Sequence, residues 1–260
     1  FFVKNKWVYK FILIISTLII FTISCKKNQT DTIDYDYGYN YFPDDSGHYI
    51  IYKVDSVLYN DFNKTVVYRT IYLKEIIGEQ FLDNMNRSAK KILRYYSDTL
   101  ATDTISTLWE LYSVDYLIKT QILAERVTDN MRFIPIVFPN DVSTKWLGNR
   151  LITIPPPYIL DKLNYFLKDW KYTILNRNKY YNNGVQIFDS TLLISQIRDS
   201  SAITKTYSIE QYARNAGLVY KEMWMLSSQD TLKIKLNFPW EQRADKGFII
   251  RQYAIKYGKE

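Results

Sequence analysis

Cysteine, histidine, glycine and proline are all scarce in this chain. Of 260 residues, one is Cys, one is His, 8 are Gly and 7 are Pro. A single Cys forms no internal disulfide and builds no cysteine-rich zinc site. A single His excludes a multi-histidine metal centre and a His-Glu-x-x-His helix. No Gly-rich phosphate loop can be traced, and no Ser stands in a Gly-x-Ser-x-Gly elbow. Long apolar runs are confined to residues 11–23, a stretch shorter than the ~20 residues a membrane helix needs. What the chain has in excess is aromatic side chains, 17% of residues with 24 Tyr, on a 47% apolar and 23% charged background. That is enough apolar surface to bury a core, which excludes a disordered tail. Ile, Lys and Asn are abundant as well. All four residue types have AT-rich codons, so codon bias accounts for part of the Tyr excess.

The N-terminus reads as an address. Lys4, Lys6 and Lys10 lead into the uncharged run 11–23, which has the length of a signal-peptide core. The run ends at Thr22-Ile23-Ser24-Cys25 and gives way at once to Lys26-Lys27-Asn28-Gln29. A small residue before a Cys at this place looks like a bacterial lipobox. Residues 1–24 are then a lipoprotein signal peptide, and Cys25 is the lipid attachment site. The sole Cys falling here makes the match specific, although Thr22 and Ile23 depart from the usual pattern. The plainer reading, a retained anchor helix with an incidental Cys, suffers from the shortness of the run. The first residue is Phe1 and not Met, which leaves the natural start open. Two or more acyl chains on Cys25 anchor a protein stably where one is marginal.

Processing also changes the charge. The full chain holds 34 basic and 27 acidic residues, and three Lys with no acid precede Cys25. The mature chain is therefore only mildly basic, which with export argues against nucleic acid as a partner. With Cys25 acylated, no thiol remains for nucleophilic or redox catalysis.

Residues 25–40 read as the lipidated Cys and a flexible tether. Fully extended, its polar part reaches about 40 Å. Residues 41–260 read as one β-rich globular domain. Pro155-Pro156-Pro157 marks a hinge or crossover, so two halves joined near 150–157 are the variant of this reading. Residues 48–59 alternate, with Ile50, Tyr52, Val54 and Leu58 on one face and Lys53 and Asp55 on the other. Residues 65–77 repeat this, with Val67, Ile71, Leu73 and Ile77 opposed by Thr70 and Lys74. Further strands are expected over 89–96, 106–114, 131–138, 170–175, 185–196 and 217–226. A helix is expected over 158–167, while 116–126 and 209–214 fit either state. The fold class is mainly β, a large curved antiparallel sheet or half-barrel with one or two short helices. An α+β arrangement is the alternative.

Candidate sites are few, and each has a plain structural reading beside it. Tyr35, Tyr37, Tyr39 and Tyr41 alternate and could form an aromatic platform for a glycan or a partner; the plainer reading is a strand lying against the domain. Asp34, Asp36, Asn40 and Asp45 faintly suggest a calcium loop, but Gly38 and Tyr39 stand where an oxygen ligand and an invariant Gly are required. His48 opens the first strand; a lone His there is structural far more often than a general base. No catalytic residue, metal ligand or cofactor is therefore assigned, and carboxylate pairs offer no basis for choosing any two. Asp followed by Ser or Thr recurs at Thr32, Ser56, Thr99, Thr104, Ser190 and Thr231, resembling the O-glycosylation acceptor of exported proteins in Bacteroidota. Turns and helix caps use the same residues. Of these, Thr32, Thr99 and Thr104 are the plausible acceptors.

Several blocks together resemble a lipoprotein family of Bacteroidota with no known activity. They are Tyr41-Phe42-Pro43 through Gly47 with Tyr52, Val54-Asp55-Ser56 and Tyr59-Asn60-Asp61-Phe62; Phe138-Pro139 with Trp146-Leu147-Gly148-Asn149; Tyr212 through Glu222; and Gly247 through Gly258 as a closing strand. The resemblance implies outer-membrane anchoring through acylated Cys25 and brings no substrate or catalytic residue. Trp146 and Trp170 read as core anchors, and Gly217 as a positive φ or a close backbone approach.

Three functions remain. The first is a non-enzymatic accessory or scaffold that binds a protein or envelope component. The second is a carrier or binding module for a hydrophobic or glycan ligand, which demands an open apolar concavity and fails on a filled core. The third is an envelope hydrolase, which demands two acids about 5–10 Å apart in a cleft. The absence of catalytic motifs ranks them in that order.

Overall fold

The structure, a computed structural model, describes residues 35–100, 108–152 and 170–260. Asp36–Glu260 forms one compact unit. Its strands are β1 (His48–Asn60), β2 (Thr65–Leu82), β3 (Ser88–Ser97), β4 (Glu110–Lys119), β5 (Leu123–Thr128), β6 (Met131–Val137), β7 (Lys145–Leu147), β8 (Lys171–Asn182), β9 (Ile187–Ser200), β10 (Thr204–Ala213), β11 (Gly217–Ser227) and β12 (Lys246–Lys259). All belong to a single antiparallel sheet in the order β6-β5-β4-β3-β2-β1-β12-β11-β10-β9-β8-β7. Two meanders flank the centre: β1 to β6 runs outward to one edge, and β7 to β11 runs inward from the other. The final strand β12 returns between β1 and β11 and joins them.

The sheet curls into a nearly closed barrel. Register shifts at Ile51/Tyr52, Ile77/Gln80, Arg94/Tyr95 and Gln211/Tyr212 bend the strands, as bulges do in curved sheets. The two edges meet at a seam. The Ile134 amide of β6 donates to the Gly148 carbonyl just past β7 at 2.7 Å, and the Trp146 indole donates to the Ile134 carbonyl at 2.7 Å. Gly148 is required there by space: a Cβ would lie 2.4 Å from the ring of Tyr172.

One end of the barrel is closed by the segment before β1. Residues 36–40, expected in the tether, belong to the folded unit. A left-handed turn at Gly38 (φ 77) leads into a 3-10 turn over Tyr39–Tyr41. Tyr41 is fully buried among residues of β5, β6, β8, β9 and β10. Its hydroxyl donates to Asn178 Oδ1 at 2.7 Å. Phe42 packs on Ile77, Ile92 and Leu117 of the other wall. A segment touching both walls must cross the interior. On the outside, two short helices, α1 (Thr231–Lys235) and α2 (Trp240–Arg243), belong to a connection whose Trp240 and Ala244 cover Trp224, Leu226 and Ile249.

The expected mainly β class is what is observed, and most expected strands are present with longer limits. The region 116–126 is the β4–β5 hairpin, and 209–214 lies in β10. The strand expected over 106–114 begins later, at Glu110, within the described residues. Leu58 and Val67, expected in the core, are 52% and 51% exposed. They face each other across β1 and β2 in the same register as the inward Tyr52 and Leu73. The helix expected over 158–167 and the three prolines lie outside the described residues.

Candidate functional site

Twelve strands enclose more space than their inward side chains fill. The interior holds a cavity of about 510 Å³, within the ~300–1,000 Å³ of small-molecule sites. Its floor is Phe42, Pro43, Ala216 and Gly217, and its apolar walls include Phe133, Trp170, Leu218, Met223, Met225 and Phe248. Gly217 sits at φ 90, the first of its two expected roles, and a Cβ there would meet the side chains of Pro43 and Ile50 at an ordinary 3.4 Å.

A belt of paired charges crosses this apolar interior. Glu75 of β2 stands beside Arg94 of β3 in the register and takes 3.1 Å and 2.5 Å bonds from Arg94 Nε and Arg126 Nη2. Asp115 of β4 accepts from Arg126 at 3.1 Å and lies 3.5 Å from Arg94. Across the barrel, Glu210 of β10 accepts from Lys221 of β11 at 2.9 Å and from the Tyr212 hydroxyl at 2.6 Å. Burial opposes the charge on Glu75, but Arg126 and Arg94 overcome it and hold its pKa at about 2. Burial likewise opposes the charge on Glu210, and Lys221 and Tyr212 keep its pKa below the ordinary value. The Tyr52 hydroxyl is pushed far up by burial, and Glu75, Arg126, Arg94 and Glu210 all act on it electrostatically.

Glu75 and Asp115 share Arg126, so a close carboxylate pair exists. A glycosidase, however, needs one acid with a raised pKa. Glu75 and Glu210, which line the cavity, are both shifted the other way.

The residues singled out by sequence fall mostly outside this site. Cys25, Thr32, Asp34 and Thr104 lie outside the described residues. The tyrosines form no one-sided platform: Tyr37 stacks on Tyr39 at 5.6 Å, while Tyr41 is buried. Asp36 is taken by Arg177 at 2.9 Å and by Arg214, and the described residues hold no cluster of three or more metal-ligating side chains. His48 reaches the cavity, but its Nε2 lies 3.0 Å from the Ala216 carbonyl, and burial lowers its pKa. Asp230 caps α1 by accepting from the Lys233 amide at 3.0 Å, and Ser190 donates to Asn178, so these Asp-Ser/Thr pairs are local structure. Thr99 is exposed. Trp170 is buried at 3% exposure, and Trp146 packs edge-on against Tyr172.

Sequence reasoning missed the belt, though its trace was there. The inward row of β2 reads Ile71, Leu73, Glu75, Ile77, and that of β3 reads Ile92, Arg94, Tyr96. A charge of opposite sign interrupts each of two adjacent apolar rows.

No family model matches this chain, and no curated protein matches it. Among solved structures, it is similar to a protein from Bacteroides fragilis NCTC 9343 described as exported, with a YmcC-like fold (9% identity, 84% of this chain and 98% of that one, TM-score 0.34). It is also similar to a protein from Parabacteroides distasonis ATCC 8503 described as a lipoprotein (11% identity, 84% and 98% coverage, TM-score 0.32). A domain from Vibrio parahaemolyticus described as an outer membrane lipoprotein-sorting protein shows 12% identity, 84% and 87% coverage and a TM-score of 0.21.

Proposed function

We propose that this protein is a lipid-anchored envelope lipoprotein that holds a hydrophobic ligand inside its barrel. The observation that carries this reading is the unfilled interior of about 510 Å³ beneath the exposed inward pair Leu58 and Val67. A scaffold gains nothing from leaving a barrel empty, because filled cores are more stable. The binding reading therefore moves ahead of the scaffold reading. The lipobox ending at Cys25 supports the anchor. The depressed pKa values of Glu75 and Glu210 support a non-enzymatic role.

The scaffold reading keeps one observation of its own. The β1–β2 hairpin presents Phe62 at 95% and Tyr68 at 76% exposure, a surface suited to a protein partner.

The test is organic extraction of the purified full-length protein with quantification of what it carries. The expected result is about one amphiphile per chain, and less in a Met223→Trp variant that fills the cavity. A protein that carries none and takes up no acyl-chain probe overturns the reading.

A further inference from the structure

We infer that the ligand of the barrel is an amphiphile whose polar head carries no net charge. This rests on the reading of the cavity as a ligand site and adds the class of ligand. Three carboxylates and three cations meet in the inner wall, and each already has a partner of opposite sign. Glu75 and Asp115 are matched by Arg94 and Arg126 at 2.5–3.5 Å. Glu210 is matched by Lys221 at 2.9 Å.

An anionic head entering this belt finds no uncommitted cation and must face Glu75 and Glu210. A cationic head finds no uncommitted carboxylate. Either one brings an unpaired charge between largely apolar walls, which is strongly unfavourable. A head built of hydroxyls, or a zwitterion, meets donors and acceptors of both signs and leaves the existing pairs intact. Tyr52 lines the same cavity near Glu75, Arg94, Arg126 and Glu210 and is 1% exposed, so its phenol adds a neutral hydrogen-bonding group there. The tail is served by Met223, Met225 and Phe248, whose inward positions adjoin Lys221 and Gln252 along β11 and β12. One polar belt bordered by flexible thioethers and an aromatic ring fits an amphiphile and suits neither a pure hydrocarbon nor a free sugar.

The test uses the full-length protein in membranes. Four photoreactive probes share one twelve-carbon chain with a terminal diazirine and differ only in the head: glycerol ester, phosphocholine, carboxylate or trimethylammonium. Labelling of residues 217–227 is read by mass spectrometry and normalised to the amount of each probe in the bilayer. The expected result is roughly tenfold or more labelling by the glycerol ester and phosphocholine over both charged heads. Lys221→Gln leaves three carboxylates against two cations, so trimethylammonium labelling rises relative to carboxylate by about threefold or more. Equal labelling by all four probes, or preference for a charged head, overturns the head-group inference and leaves the cavity reading standing. No labelling by any probe overturns the cavity reading itself, and this inference with it.

Discussion

Glutamate 75 is the residue on which the inner belt depends, and Glu75→Gln removes its charge with little change in shape. Its carboxylate sits between Arg94 and Arg126 at 3.1 and 2.5 Å, and its pKa falls from an ordinary 4.5 to about 2. A depression of that size corresponds to on the order of 3 kcal/mol of stabilisation of the charged form in the folded state. Breaking a buried pair by removing one partner costs about 3–5 kcal/mol in other proteins, because the remaining charge is stranded. The two routes agree, so Glu75→Gln is expected to lose about 3 kcal/mol at pH 7.

The sign of the pH dependence gives an independent check. The folded pKa lies below the unfolded one, so this stabilisation is complete above about 4.5. It is lost as the pH falls towards about 2. Urea unfolding of wild type and variant should differ most at neutral pH and converge across that window, where both states come to bind the same proton. A variant within ~0.5 kcal/mol of wild type at pH 7 refutes the argument. So does a gap that stays constant down to pH 2.

Three further outcomes are expected. Gly148→Ala places a Cβ 2.4 Å from the Tyr172 ring, which is 2% exposed and held by Asn149 at 2.7 Å; the strain of about 1–3 kcal/mol should speed hydrogen exchange at the Ile134 amide, and unchanged exchange there counts against the seam. Tyr41→Phe removes the donor to Asn178, whose Oδ1 keeps Ser190 and Arg214 as partners, so denaturant unfolding should show a loss of only about 1 kcal/mol. Cys25→Ala should abolish incorporation of labelled fatty acid and leave the signal segment uncleaved on a gel; continued labelling removes the lipobox.

Strands were legible where one face is wet and the other dry. In β1, Ile50, Tyr52 and Val54 are buried and Lys53 and Asp55 are not, and the period-two pattern found it. It failed in β10, where Ser208, Glu210 and Gln211 are buried, so polar residues occupy both faces and no alternation survives. The β4–β5 hairpin failed for another reason. Ile118 and Ile122 stand four residues apart, as on a helix, and the turn between the strands rests on the Thr120 hydroxyl, which accepts from the Leu123 amide at 3.1 Å. Propensity rules carry no clear signal for such a turn. The β5–β6 turn is legible in the sequence: Asp129 and Asn130, at φ 50 and 61, are residue types that a two-residue hairpin loop prefers. Parts of the resemblance blocks lie where the barrel closes, whereas Asn60 through Phe62 stand at the exposed β1–β2 turn. Phe42 and Pro43 form the floor, Trp146 and Gly148 the seam, and Tyr212 through Lys221 the side of the cavity. The belt stayed hidden because its partners are separated by up to 51 residues, and only the sheet register brings Glu75 and Arg126 together.

The belt itself separates a folding device from a binding device. Buried ion pairs are weak contributors to stability, and apolar replacements of similar volume are neutral or stabilising by about 1–4 kcal/mol. If Glu210, Lys221 and Tyr212 only hold β10 to β11, then replacing them together with Met, Met and Phe costs the protein nothing it uses. No charge is stranded, and the phenol that donates to Glu210 at 2.6 Å leaves with its acceptor. The expected outcome is a triple variant at least as resistant to urea as wild type that labels less with the neutral and zwitterionic probes, while both charged heads stay excluded. A variant that is less stable by about 2 kcal/mol or more, yet labels with the neutral and zwitterionic probes as wild type does, assigns the pair to folding and leaves recognition to the Glu75 side of the barrel.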